Sequence, residues 1–260
     1  MHKDEINKCL DNPFSLKLLD EHSQSVKEFE KRDGYQAGKN NYHLLSEKEK
    51  YSSRIFRLEC DLINTIDKIE YIKIFLARIP YKKYLWKNSI DELSYIQYHL
   101  ETLYHKVHTI LDVMKLLVNE VYCLGINEKD CSWKRLKAKV GEHIEAMKII
   151  NQYYEEFINI LEYRHLNTHQ GYFQDKEMDD IDFFTGYGLL KLYNNMGLEP
   201  DEEMKDRISK LYIDIKLKRL REDKLQFIAN IQNRVYDYLK RFLLSLNEEY
   251  NNKLKSLKHT

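Results

Sequence analysis

Apolar side chains recur along most of this chain at intervals of three and four, the spacing of helices that bury one face. From residue 46 onward, Ile55, Leu58, Leu62, Ile66, Ile69 and Leu76 form one such stripe. Ser46 and Glu49 stand at the spacing of a capping box, in which each side chain satisfies the other residue's backbone N–H. A helix is therefore expected to open at Ser46, and Pro80 to end it. A second is expected from near Ser89, three residues before Glu92. It carries Leu93, Ile96, Leu100, Leu103, Val107, Leu111, Met114 and Val118 as far as Gly125 and the polar stretch 127–130. A third starts near Ser132, presents Ile144, Met147, Ile150, Tyr154, Phe157 and Leu161, and runs on to Gly171. A fourth covers 178–195 with Ile181, Phe184, Leu189 and Leu192, and Gly197 and Pro200 follow it. Residues 201–257 continue the pattern through Met204, Ile208, Leu211, Ile215, Leu225, Ile228, Val235, Leu239, Phe242 and Leu246. The charged stretch 216–224 leaves open whether this is one helix or two. Ahead of all these, Asn12-Pro13 marks a turn, Leu16, Leu19, Val26 and Phe29 outline a short amphipathic helix, and 34–41 reads as a loop.

These elements make an all-α chain, an up-and-down helical bundle with modest loops. The expected division is an N-terminal extension at 1–45, a four-helix core at 46–195, and a C-terminal helical extension at 196–260 that packs on the core. The apolar faces are wider than the two-per-heptad seam of a coiled coil. With 8 Gly and 3 Pro in 260 residues, turns are few and helices long. Lys+Arg and Asp+Glu both number 42. A protein that grips nucleic acid constitutively carries a basic excess, so contact with RNA here is expected to be local, transient or helped by a partner. The four cysteines form no CxxC pair, which fits reduced thiols rather than a disulfide framework. The first residues hold no apolar stretch of a signal peptide, and no run approaches the roughly 20 residues of a membrane span. The expected setting is cytoplasmic, with no membrane partner.

One place breaks the helical pattern. Beyond Leu161 the next inward positions of the third helix are Arg164 or His165, and then Thr168. Burying such groups costs several kcal/mol unless they are paired, and rules broken at one place mark a functional site. The run Arg164-His165-Leu166-Asn167-Thr168-His169, an Arg followed by a polar residue and then a His at the close of a long helix, resembles the signature of the HEPN superfamily. The likeness extends over about 46–195 and is nearest to bacterial members with helical extensions. It implies a helical bundle that cleaves RNA without metal or other cofactor, as a homodimer with a shared cleft, in defence or stress response. By the same resemblance Arg164 holds the phosphate, His169 takes or gives the proton, and His165 orients the site or shares the transfer. Asn167 and Thr168 join Arg164 in binding substrate. The chemistry suits the residues: His titrates near neutrality, and Arg offers phosphate a two-pronged, permanently charged fork. Five residues apart, Arg164 and His169 lie about 140° apart on an ideal helix. They converge only if the helix frays or two chains each bring a motif. Some HEPN toxins answer to an antitoxin that modifies a Tyr two residues past the motif His. Here that position is Gly171, with Tyr172 next, a departure that weakens the case for such a partner.

Other readings stand beside this one. The chain is alternatively a non-catalytic HEPN-like module that binds RNA or a protein. Glu162-x-x-His165 has the spacing of di-iron bundles, but those need a second copy, and His165 with His169 lacks an evident third metal ligand. His99, His105 and His108 lie on the second helix, where one of them, or Tyr104, can face the motif across the bundle. Asp179, Asp180 and Asp182 read as first-turn acids that favour the helix dipole, or as carboxylates near the site. Lys216, Lys218, Arg219, Arg221 and Lys224 form the best local basic patch, diluted by Asp214, Glu222 and Asp223, and read as a solvated face or an RNA track.

Overall fold

The computed structural model describes residues 10–79, 82–163, 175–199 and 201–257, and none of these residues lies in a strand. The helices are α1 Pro13–Phe29, α2 Glu47–Ala77, α3 Lys82–Lys87, α4 Glu92–Val121, α5 Trp133–Val140, α6 Glu145–Glu156, α7 Lys176–Phe184, α8 Tyr187–Asn195, α9 Glu202–Arg207 and α10 Lys210–Ser256. No described helix is long and apolar enough to cross a membrane. The all-α expectation is met. Pro80 and Pro200 lie outside the described residues. The chain forms two compact units. One comprises Met1–Asp67, Val107–Ile158 and Asn233–Thr260, and the other Lys68–Lys106 and Asn159–Gln232.

In the first unit, α1 opens on Asn12, whose side chain accepts the Ser15 N–H at 3.0 Å. Pro13 takes a first-turn position, where its missing N–H costs nothing. The expected apolar stripe is displaced. Leu16, Leu19 and Val26 are each 54 % exposed, and the buried face is Phe14, Ser15, Leu18, Glu21 and Ser25. Polar members of that face are buried because each finds a partner: Ser15 bonds Glu59, Glu21 pairs with Lys17 at 2.9 Å, and Ser25 donates to Glu49 at 2.9 Å. α2 opens with the capping box. The Ser46 N–H donates to Glu49 Oε2 at 2.8 Å, and the Glu49 N–H donates to Ser46 Oγ at 3.3 Å. Burial pushes the Glu49 carboxyl up, but its bonds from Arg32, Ser46 and Ser25 outweigh that and hold it at about 2.

Tyrosines fasten this unit's core. The Tyr51 hydroxyl donates to the Val121 carbonyl and the Tyr153 hydroxyl to that of Val107, both at 2.9 Å. The Phe14 ring meets the Tyr250 ring edge-on at 5.3 Å. The third predicted helix is not continuous. Gly141, at φ 79°, separates α5 from α6 in a conformation that favours glycine, and a turn at Phe157 ends α6. Tyr153, not the expected Tyr154, faces the core.

In the second unit, α4 starts later than expected. Ser89 has φ 59°, outside helical geometry, and Asp91 caps the helix by accepting the Ser94 N–H at 2.9 Å. The stripes of α2 and α4 pack as read from the sequence, with Ile69, Leu76, Leu93, Ile96, Leu100 and Leu103 buried. The fourth predicted helix breaks at Gly186 (φ 75°) into α7 and α8. The break resets the helical phase, so beyond it Leu189 and Leu192 are exposed and Tyr187 is buried; ahead of it Ile181 is buried and Phe184, the last residue of α7, is exposed. α10 runs unbroken through the charged stretch for 47 residues. Its inward face there is Ile213, Leu217 and Leu220, so the expected Leu211 and Ile215 face solvent.

Glu59 gives the first unit a testable signature. It is buried, and burial pushes its carboxyl above the ordinary 4.5, against a lowering bond from the Ser15 hydroxyl. A raised acid contributes stability that is full below 4.5 and lost as pH rises through the folded value. Glu59→Gln keeps an acceptor for Ser15 and removes the titration. Its Tm relative to wild type, followed by circular dichroism, should therefore climb as pH rises above 4.5 and level off once Glu59 ionises in the folded state. A difference that stays flat over that range would show that Glu59 does not change protonation on unfolding.

Candidate functional site

Arg164, His165, Asn167, Thr168 and His169, with Gly171 and Tyr172, lie outside the described residues. The structure does place the two ends to which that segment is joined, both within the second unit. On the leading side, residues 158–163 are helical and bury Ile160 and Leu161. The Tyr163 ring stands edge-on to Tyr104 of α4, with centroids 5.6 Å apart. On the trailing side, Asp175 caps α7, accepting the Met178 N–H at 3.2 Å. Lys224 of α10 then ties Asp175 and Glu177 together, with its Nζ 2.8 Å from a carboxylate oxygen of each.

Tyr104 responds to both ends. Burial pushes its phenol well above the usual tyrosine range, and the neighbouring Asp175 carboxylate and Tyr163 push it further. At neutral pH it is a protonated hydrogen-bond donor. Burial works against the Lys224 charge, yet the two carboxylates win and raise its pKa, so it remains a cation. One aromatic ring and one ammonium thus hold the approaches to the predicted motif.

The basic run divides by helical position. Arg221 turns inward to Glu92 at 3.4 Å, and Lys224 turns inward to α7. Lys218 and Arg219 are exposed, each 3.9 Å from an acid one turn on. The Lys216 ammonium sits 5.4 Å from the centre of the Tyr212 ring. Among the acids after the motif, Glu177 and Asp179 occupy the first turn of α7, where they favour the helix dipole.

The α4 histidines do other work. His99 is buried against Tyr95, Tyr98 and Phe75, and burial lowers its pKa, so it is neutral. His105 is exposed, and His108 belongs to the first unit, 2.9 Å from Asp112. Among the described residues no cluster of three or more His, Cys, Asp or Glu could hold a metal ion, and the motif histidines are not among them. Burial pushes the thiols of Cys60, Cys123 and Cys131 up, Cys131 to about 11, which leaves little nucleophilic thiolate.

The carboxylates flanking Lys224 generate a prediction. Lys224→Ala removes the shared cation and leaves two acids facing each other at the start of α7. A loss of about 1–3 kcal/mol is expected, measured by urea denaturation, with faster amide exchange across residues 176–184. Lys224→Arg should recover part of both. Unchanged exchange in the alanine variant would show that the ion pair does not hold α7.

No curated protein and no solved structure matches the chain. The model of a family described as HEPN-like matches residues 55–240 of the 260. That span holds α4, the 164–174 segment, α7, α8, α9 and the Lys224 clamp. Its described residues hold helices and no strand, the Arg–His motif falls between Tyr163 and Asp175 in sequence, and the chain belongs to the HEPN family.

Proposed function

We propose that this protein is a metal-independent endoribonuclease in which Arg164 and His169 act on an RNA phosphate. One observation carries the reading: the Arg164-to-His169 motif lies inside the family-matched span, on the segment between Tyr163 and Asp175. In this mechanism His169 removes the proton of a ribose 2′-hydroxyl as that oxygen attacks the adjacent phosphorus. The bond to the 5′-oxygen breaks and that oxygen leaves with a proton, giving a 2′,3′-cyclic phosphate and a 5′-hydroxyl end. The Arg164 guanidinium grips the phosphate oxygens and offsets the charge that builds on them. His165 orients the site or shares the proton transfer, and Asn167 and Thr168 contact the substrate.

HEPN domains often bind RNA and dimerise. A homodimer with a composite cleft would bring together an Arg and a His whose spacing sets them about 140° apart on an ideal helix. The zero net charge fits an enzyme that engages RNA only locally, consistent with a toxin-like role in defence or stress response under an antitoxin or other regulatory protein.

The test is cleavage of total and transfer RNA in EDTA by wild type, Arg164→Ala and His169→Ala. Wild type should cut and leave cyclic phosphate ends. Each substitution should slow cutting by at least about a hundredfold with the helical circular dichroism spectrum unchanged. RNA left intact by wild type would sink the catalytic reading in favour of a non-catalytic helical module.

A further inference from the structure

The second unit holds a cleft of about 610 Å³ whose walls are α7 and the first part of α10. Its apolar floor is Ile181 and Leu220, both buried. Two exposed aromatic side chains also line the cleft: Phe184, 84 % exposed, and Tyr212, 49 % exposed. Tyr212, Lys216 and Arg219 lie four and seven residues along one face of α10, which puts a ring and two cations in one line. Lys216 is paired with no carboxylate among the described residues, and its ammonium lies over the Tyr212 ring.

Exposed rings beside solvent-accessible cations, here Lys216 on the Tyr212 ring and Arg219 at 3.9 Å from Asp223, are what an unpaired nucleotide needs. Every base has a π-face to stack, and every linkage has a phosphate to neutralise. A duplex demands a continuous basic track instead. The acids here, Glu177, Asp180 and Asp223, interrupt any such track. Asp180 and Asp223 offer acceptors to exocyclic amino groups of bases, while the charge of Glu177 is already met by Lys224. Glu177 also links the cleft to the motif. It lines the cleft and shares Lys224 with Asp175, the residue at which the described chain resumes after the 164–174 segment. From this arrangement we infer that the cleft is a subsite for one unpaired nucleotide of an RNA strand, its base on Phe184 and Tyr212 and its phosphate on Lys216 and Arg219. The choice of RNA as the ligand rests on the ribonuclease reading. The stacking site and its cations do not.

The probe is a fluorescein-labelled, fully 2′-O-methylated single-stranded hexanucleotide, which lacks the attacking hydroxyl and so cannot be cut by that route. Its binding is read by anisotropy to wild type, to Phe184→Ala/Tyr212→Ala, to Lys216→Glu/Arg219→Glu and to a charge-matched control on exposed lysines, Lys134→Glu/Lys148→Glu. Phe184, Tyr212, Arg219 and the control lysines are exposed and Lys216 is half-buried, and a melting curve verifies each fold. Both cleft variants should weaken binding about tenfold, the control should not, and a duplex of the same sequence should bind more weakly than the single strand. Equal binding by all four proteins would overturn the subsite. So would a change in sedimentation mass in the cleft variants alone, which would make the exposed rings a protein contact. The two readings fail separately. If wild type cuts no RNA yet binds the probe through the cleft, the ribonuclease falls and the subsite stands. If wild type cuts RNA and the cleft variants bind and cut as it does, the subsite falls and the ribonuclease stands.

Discussion

A lysine held between two carboxylates fastens two helices of the second unit together. Lys224 joins α10 to the capped start of α7 through Asp175 and Glu177, and so fixes where the chain emerges from the 164–174 segment. Taking an ammonium out of water costs several kcal/mol unless it is paired. Here the pairing is double, and it adds to the cap that Asp175 already supplies to the Met178 N–H. Without that cation, the acids that favour the start of α7 would repel each other. The same contact sets the distance between the walls of the cleft described above, because Glu177 belongs to both.

Much of this was legible in the sequence. The capping box at Ser46 and Glu49 forms as its spacing predicts, and the stripes from Ile55 to Leu76 and from Leu93 to Val118 are buried throughout. Periodicity works on these helices because they are long and uninterrupted, so many residues vote on one phase. It failed where a short break resets that phase. Gly141 and Gly186 each end a helix that an unbroken pattern carries through; beyond Gly186 the assigned Leu189 and Leu192 face water, while beyond Gly141 Met147, Ile150, Phe157 and Leu161 are buried and Tyr154 faces water. In α1 the error has a different cause: the buried face includes Ser15, Glu21 and Ser25, which hydrophobicity alone cannot select.

The Lys224 clamp left a sequence signal of a kind easily passed over. Leu220 and Ile228 are buried and half-buried Lys224 stands between them on the same face, so a lysine sits where the pattern calls for a leucine. Glu59, between Ile55 and Leu62, departs in the same way. The rule that singles out Arg164 and His165 applies equally to these two, and in both cases the buried charge or carboxyl has a dedicated partner. Those partners come from other helices, Asp175 on one side and Ser15 on the other. Pairing over that sequence separation has no local signature, so it is visible only once the chain is folded.

The division of the chain gives each unit its own optical reporter. The only two tryptophans fall one to a unit, Trp133 at the start of α5 in the first and Trp86 on α3 in the second. Replacing either by phenylalanine leaves an indole whose emission follows one unit alone. Two such proteins, titrated with the same denaturant, would yield two curves. Their coincidence would mean one cooperative transition, and their separation two.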